Sequence, residues 1–165
     1  MNKLSKNNVV VVGCVYPKIE RFLKHSFDSF ERQSDSSFDL LIANDNIENI
    51  DSYLKSGNLS YQIVNVNSSP SENRRVLIQK AIKDGYGKIL FADFDDTFDS
   101  NRVEIVSELL DTFSVVINDS DLTNEEGEIN TSRYFSKRFS ESEQITEKHL
   151  RIGNMMGLAN IAAKI

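Results

Sequence analysis

An unbroken β-branched run at residues 8–15, NVVVVGCV, gives way at once to a segment with helical periodicity, and this constrains the chain more than any other feature. A run without polar alternation suits a strand covered on both faces, as in a parallel sheet. Tyr16-Pro17 ends it. Ile19, Phe22, Leu23, Phe27 and Phe30 then recur at helical spacing, predicting an amphipathic helix whose phenylalanines are core. FDLLIA at 38–43 reads as a second buried strand, closed by the turn-forming Asn44-Asp45-Asn46. Residues 47–55 read as a short helix before Gly57-Asn58, and 61–66 as a third strand. Ser68-Ser69-Pro70-Ser71 is a cap-and-proline helix start. Val76, Leu77, Ile78, Ala81 and Ile82 form that helix's apolar face, and Gly85 and Gly87 stop it.

Residues 88–92 read as a fourth strand and 114–117 as a fifth. Between them Asp99-Ser100 reads as the cap of a helix carrying Val103, Ile105, Val106, Leu109 and Leu110. Such alternation predicts the α/β class, a mainly parallel sheet with helices on its faces. Beyond Asp121 the pattern loosens: TNEEGEINTS reads as a loop and 134–139 as a short strand. Apolar patterning continues to Ile165 without a helix stop or polar tail, so the expectation is a sequence cut at its C-terminal end rather than finished.

The 165 residues suit about one domain with a single core. A net charge of −6, with scattered lysines and arginines, provides no basic field for nucleic acid. The single cysteine, Cys14, excludes an internal disulfide and a Cys-based zinc cluster, and its apolar run suits a buried, inert thiol. His25 and His149 read as surface residues, with no neighbouring His or Cys to complete a transition-metal set. The start lacks the apolar core and cleavage site of a secretory signal, and no segment approaches the roughly 20 apolar residues of a membrane span. The expectation is a cytoplasmic chain, at most peripheral to the inner face of a membrane.

In an open α/β sheet, ligands bind beyond the carboxyl ends of the strands. Three polar clusters fall there: Tyr16-Pro17, Asn44-Asp45, and the aspartates of KILFADFDDTFDSNR, residues 88–102. For Asn44-Asp45, turn chemistry alone is an equal alternative. Asp93, Asp95 and Asp96 repel one another more than a turn requires. A divalent cation with oxygen ligands, shared with substrate phosphates, would neutralise them. That chemistry points to a metal–diphosphate site. DFDDTF also looks like the first motif of haloacid-dehalogenase-type phosphatases, with Asp93 as nucleophile and Asp95 as acid/base. Against that reading, three strand-like runs precede a motif that usually follows the first core strand, and one strand remains for the rest of such a site.

The segment VVVVGCVYPKIERFLKHSFDSFERQSDSSFDLLIANDN resembles the opening of inverting, family-2 glycosyltransferases with the GT-A fold. The likeness lies in an apolar strand, a Tyr-containing turn, a helix ending in Ser-Phe-x-x-Gln, then Phe-Asp-Leu-Leu-Ile and an Asn-Asp turn. It resumes in ENRRVLIQKAIKDGYGKILFADFDDTFDSNRVE, which is similar to that family's Arg-containing helix, Gly-Tyr connection, aspartate motif and following Asn-Arg. The resemblance covers roughly residues 9–104. It implies one GT-A-like domain over 1–165, with 1–120 the nucleotide-sugar-binding half and 121–165 an incomplete start of the acceptor half.

Carried over by position, the resemblance has Asp45 accept a hydrogen bond from the nucleotide base, with Tyr16 lying against that base. Arg74 would approach the nucleotide, its alternative being a solvated helix charge. Asp93 would help hold ribose or metal, Asp95 would be the main ligand of a Mg²⁺ or Mn²⁺ on the diphosphate, and Asp96 would extend the metal site. The implied activity is metal-dependent, inverting transfer of a sugar from a nucleotide donor, UDP-linked in one version, to a saccharide or lipid-linked acceptor in polysaccharide biosynthesis. The catalytic base is expected beyond the chain end. Asp119, Asp121, Glu125, Glu126 and Glu128 are candidates only by default, and none is assigned. A binding fragment without turnover is the remaining alternative.

Overall fold

The structure, a computed structural model, describes residues 8–54, 59–138, 145–147 and 157–165. In chain order the elements are β1 (Val9–Val15), α1 (Glu20–Glu31), β2 (Phe38–Asn44), α2 (Asp51–Leu54), β3 (Ser60–Asn65), α3 (Pro70–Asp84), β4 (Lys88–Phe91), α4 (Arg102–Thr112), β5 (Val115–Ile117), β6 (Leu122–Thr123), β7 (Ile129–Thr131) and β8 (Ile161–Lys164). Strands β1 to β4 are parallel, and the six-stranded sheet runs β3-β2-β1-β4-β8-β5.

That order follows from the crossovers. The chain moves outward from β1 through α1 to β2 and through α2 to β3, then returns across the sheet by way of α3 to β4. Parallel crossovers share one hand, so a reversal of direction moves the helix to the opposite face. Accordingly Leu23, Phe27 and Phe30 of α1 pack with Val9, Val11, Leu40, Ile42 and Leu90 on one face. Leu77 and Ala81 of α3 pack with Val10, Val12, Leu41 and Ile89 on the other. The reversal falls between β1 and β4, leaving a crevice beyond their carboxyl ends.

Several sequence expectations change in three dimensions. The end of the chain is a strand: β8 runs antiparallel between β4 and β5, with Ala162 beside Leu90 and Val116. TNEEGEINTS is no simple loop; Asn124 to Glu128 connect the β6–β7 hairpin. Tyr134 and Phe135 form a turn leading into a 3₁₀ turn at Ser136–Arg138 instead of a strand, and Phe139 lies outside the described residues, as do Lys55, Gly57, Asn58 and His149. The short helix expected over 47–55 contracts to α2. Ile82 is 57% exposed, so the face of α3 toward the sheet is Asn73, Leu77 and Ala81. The cap of that helix is as expected: the Ser69 hydroxyl accepts from the Glu72 N–H, Pro70 follows, and Gly85 closes the helix in the left-handed region at φ 85°. His25 is exposed. Among the described residues no helix is long and apolar enough to cross a membrane.

Candidate functional site

The aspartate loop begins where β4 ends, and its shape comes from the residue between the first two carboxylates. Phe94 is fully buried, its ring 5.3 Å from that of Phe27 and 5.7 Å from that of Phe30. With that ring fixed in the core, Asp93 is left half-buried and Asp95 exposed at the sheet's rim. Gly13 of β1 makes room for the loop: a Cβ there would lie 2.6 Å from the Ala92 carbonyl oxygen and 2.7 Å from the Phe94 ring. Ala92 extends the β1–β4 pairing by one bond, its N–H donating to the Val12 carbonyl at 2.9 Å.

The far side of the loop is clamped by α1. Phe30 packs edge-on against Phe98 at 4.7 Å, and the Ser29 hydroxyl accepts from the Phe98 N–H at 3.0 Å. Gln33, buried, donates to the Asp99 carbonyl at 2.7 Å and accepts from the Val103 N–H at 3.0 Å. Gln33 therefore caps α4, and Asp99-Ser100 does not. The N-cap position is Asn101, without a side-chain bond, while the Ser100 hydroxyl turns to Asp99. A free helix N–H takes whatever acceptor tertiary packing delivers. Ser-Phe-x-x-Gln thus acquires a physical role, each of Ser29, Phe30 and Gln33 touching the segment after the aspartates.

On the open side, the expected residues come together. Arg74, on the first turns of α3, makes an ion pair with Asp93. Burial raises the Tyr16 pKa, Asp95 and then Asp93 raise it further, and Arg74 opposes them, so all four share one field. Burial likewise raises the Cys14 thiol, with Arg74 lowering it and Asp93 and Asp45 raising it. Cys14 is half-buried at this rim, and a thiol pushed upward stays protonated and inert. Asp45 joins from the end of β2. Its N–H donates to the Val15 carbonyl at 2.9 Å, and its carboxylate accepts from the Asn46 amide at 2.8 Å, with Asn46 in the left-handed region at φ 64°. Beside it a polar hollow of about 320 Å³ is lined by Asn44, Asn46, Ile47, Glu48, Asn65 and Val66.

Three carboxylates in this geometry do not all require a metal. The chain answers part of their charge itself: Arg74 pairs with Asp93, and Arg102 lies near enough to lower Asp96. Among the described residues no three His, Cys, Asp or Glu side chains form a group able to hold a metal alone. Asp95 is exposed and makes no hydrogen bond or ion pair among those residues, so its oxygens are available. The donor set fits a cation held by one carboxylate with diphosphate and water completing its shell, the usual manner of Mg²⁺. A three-aspartate cage does not fit. Asp96 reaches solvent, yet it sits in a crowded setting. Burial first, then Asp95 and Asp93, raise its pKa to about 6, against the pull of Arg102.

Four of the five later acids are occupied. Asp119 accepts from the Phe135 and Ser136 N–H groups and the Ser136 hydroxyl, and Asp121 accepts from the Arg133 N–H at 2.7 Å. Glu125 pairs with Arg21 at 2.9 Å, and Glu128 accepts from the Asn124 amide at 2.9 Å. Glu126 is exposed on the hairpin connection.

The mostly parallel six-stranded sheet with helices on its faces is a GT-A-like fold. Among solved structures the chain is similar to S. aureus TarS 1-349 in complex with UDP, at 19% identity and a TM-score of 0.58, over 71% of this chain and 36% of that one. The same identity, TM-score and share of this chain hold for TarS 1-349 in complex with UDP-GlcNAc, over 35% of that chain. TarS 1-349 without either matches at 18% and 0.56, over 71% and 37%. The chain spans about a third of the length of each structure. No protein-family model matches it. No curated protein matches it.

Proposed function

We propose that this chain is the donor-binding part of a metal-dependent, inverting glycosyltransferase that moves a sugar from a nucleotide donor to a saccharide or lipid-linked acceptor. The single observation that carries the reading is the convergence of Tyr16, Asp45, Arg74, Asp93 and Asp95 at the crevice between β1 and β4. In this reading residues 1–120 bind the nucleotide sugar and 121–165 begin the acceptor side. The structures with UDP and UDP-GlcNAc support a uridine nucleotide as the first donor to test.

Each residue's work follows from its setting. Tyr16, 41% exposed, offers a ring face to the base, and Asp45, steadied by Asn46, offers a carboxylate oxygen to a base N–H beside the polar hollow. Arg74, tied to Asp93, directs positive charge toward the diphosphate and holds Asp93 in place for the ribose. Asp95 would hold Mg²⁺ or Mn²⁺. When bound, that cation would stabilise the negative charge that develops on the departing nucleoside diphosphate. Deprotonation of the acceptor hydroxyl needs a carboxylate on the opposite face of the sugar. Asp119, Asp121, Glu125 and Glu128 are committed to other contacts, so no base is assigned.

The test is thermal unfolding with UDP, with and without Mn²⁺. We expect metal-dependent stabilisation of the parent chain and none in Asp95→Ala. Equal stabilisation in both would remove the site. Binding without donor hydrolysis would identify a donor-binding unit, and phosphate release from small phosphomonoesters, abolished by Asp93→Asn, would return the reading to a phosphatase.

A further inference from the structure

Beneath the aspartate loop lies a cation that the proposed reaction does not use. Arg102, the first residue of α4, donates from Nε to the Asn118 amide oxygen at 3.1 Å and from Nη2 to the carbonyls of Phe91, at 3.2 Å, and Ala159. Its guanidinium lies 3.7 Å from the centre of the Phe98 ring. Phe91 immediately precedes the loop and Phe98 follows it, so one side chain grips both flanks. The same fork ties those flanks to the end of β5 and the start of β8. Arg102 forms no close ion pair among the described residues; backbone oxygens, an amide and an aromatic face satisfy it, with Asp96 nearby.

We infer that Arg102 is a positioning residue for the aspartate loop: its fork sets the spacing of the loop's flanks, its charge lies near Asp96 without pairing with it, and the cation affinity of Asp95 depends on that arrangement. The part concerning the cation rests on the function proposed above; the part concerning the loop does not. Arginine suits the task for a geometric reason. Its planar fork presents several donors at fixed angles and stacks on a ring, whereas a lysine ammonium is a point charge on a flexible stem. Burial lowers the Arg102 pKa to about 10, Asp96 opposes that shift, and the group stays charged at neutral pH. Under Asp93 to Asp96 it supplies a fixed counter-charge, so the loop takes its shape before any cation arrives.

The experiment uses the whole chain and Arg102→Lys, which keeps the charge and loses the fork. In metal-free protein, amide hydrogen exchange is followed across residues 93–98 and across β1. Mn²⁺ affinity is then titrated in the presence of UDP. We expect exchange in the loop to rise about tenfold or more while β1 is unchanged, and Mn²⁺ to bind about tenfold or more weakly, as for other groups that orient metal ligands. A melting temperature that falls with loop exchange and Mn²⁺ affinity unchanged would overturn the inference and leave Arg102 as a stabilising contact only. Should the parent itself not bind Mn²⁺ with UDP, the proposed function fails, and the exchange measurement still decides whether Arg102 holds the loop. Asn118→Ala, which removes the Nε acceptor together with the amide's exposed bond to the Asp119 carbonyl, carries the same comparison with a smaller change if Arg102→Lys does not fold.

Discussion

Two aspartate-rich segments leave the carboxyl ends of β4 and β5, and they put the same residue type to opposite uses. In Asp93-Phe94-Asp95-Asp96 the middle side chain is buried, the flanking backbone is held by Ser29, Gln33 and Arg102, and Asp95 remains unengaged among the described residues. In Asp119-Ser120-Asp121 no side chain reaches the core, and the carboxylates themselves hold the backbone of residues 133–136. Local shape is therefore maintained by hydrophobic anchoring in the first loop and by carboxylate hydrogen bonds in the second. Only the first arrangement leaves a whole carboxylate, that of Asp95, unengaged among the described residues. A cluster of acids is a candidate site when something else secures the backbone.

The first loop depends most heavily on Phe94. Phe94→Ala empties a fully buried position shared with Phe27 and Phe30 and is expected to cost about 3–5 kcal/mol, read by urea unfolding. A cost below about 1 kcal/mol would mean that the loop is not anchored by this ring. Gly13→Ala comes next: the new methyl meets the Ala92 carbonyl and the Phe94 ring, so a loss of about 1–3 kcal/mol is expected, together with weaker UDP binding as Asp93 is displaced. Unchanged stability would show that β1 and the loop can move apart freely. Asp119→Ala removes a cap-like carboxylate on the surface, and about 1 kcal/mol should be lost, with faster exchange at the Phe135 and Ser136 amides and no change in UDP binding. A loss of UDP binding would place the second loop in the site after all.

The smallest effect is a pH dependence. Asp96 titrates at about 6 in the folded chain, above its ordinary 3.8, because burial and then Asp95 and Asp93 disfavour its charge. The folded state therefore binds this proton more tightly than the unfolded state. The associated stability is fully present below about pH 4 and is lost as pH rises through about 6. Asp96→Asn, neutral at every pH, should melt higher than the parent at pH 8 in chelator and lose that advantage at pH 4. An equal difference at both pH values would show that Asp96 gains no extra proton affinity on folding.

Much of this was legible in the chain itself. The apolar run of β1, the helical spacing of Leu23, Phe27 and Phe30, and Ser69-Pro70 with Gly85 around α3 depend on neighbours in sequence, and each was recovered close to its bounds. The carboxyl-end positions of Tyr16, Asp45 and Asp93 follow from strand direction alone. The contacts over long separations were not legible. Gln33 reaching the first turn of α4, Arg102 reaching Ala159, and β8 entering between β4 and β5 join residues about 45 to 75 positions apart. The motif Ser29-Phe30-x-x-Gln33 and the arginine after the aspartates were visible, but nothing local revealed what they hold.

The alternation of strands and helices and the placing of acids at strand ends are local properties, because periodicity and turn chemistry act within a few residues. Which carboxylates stay available is not local, since it depends on whether distant donors arrive to engage them. Asp119 was met by backbone N–H groups of Phe135 and Ser136, Asp93 by Arg74, and Asp95 by no described partner. Availability is set by packing, and packing is a property of the folded chain as a whole.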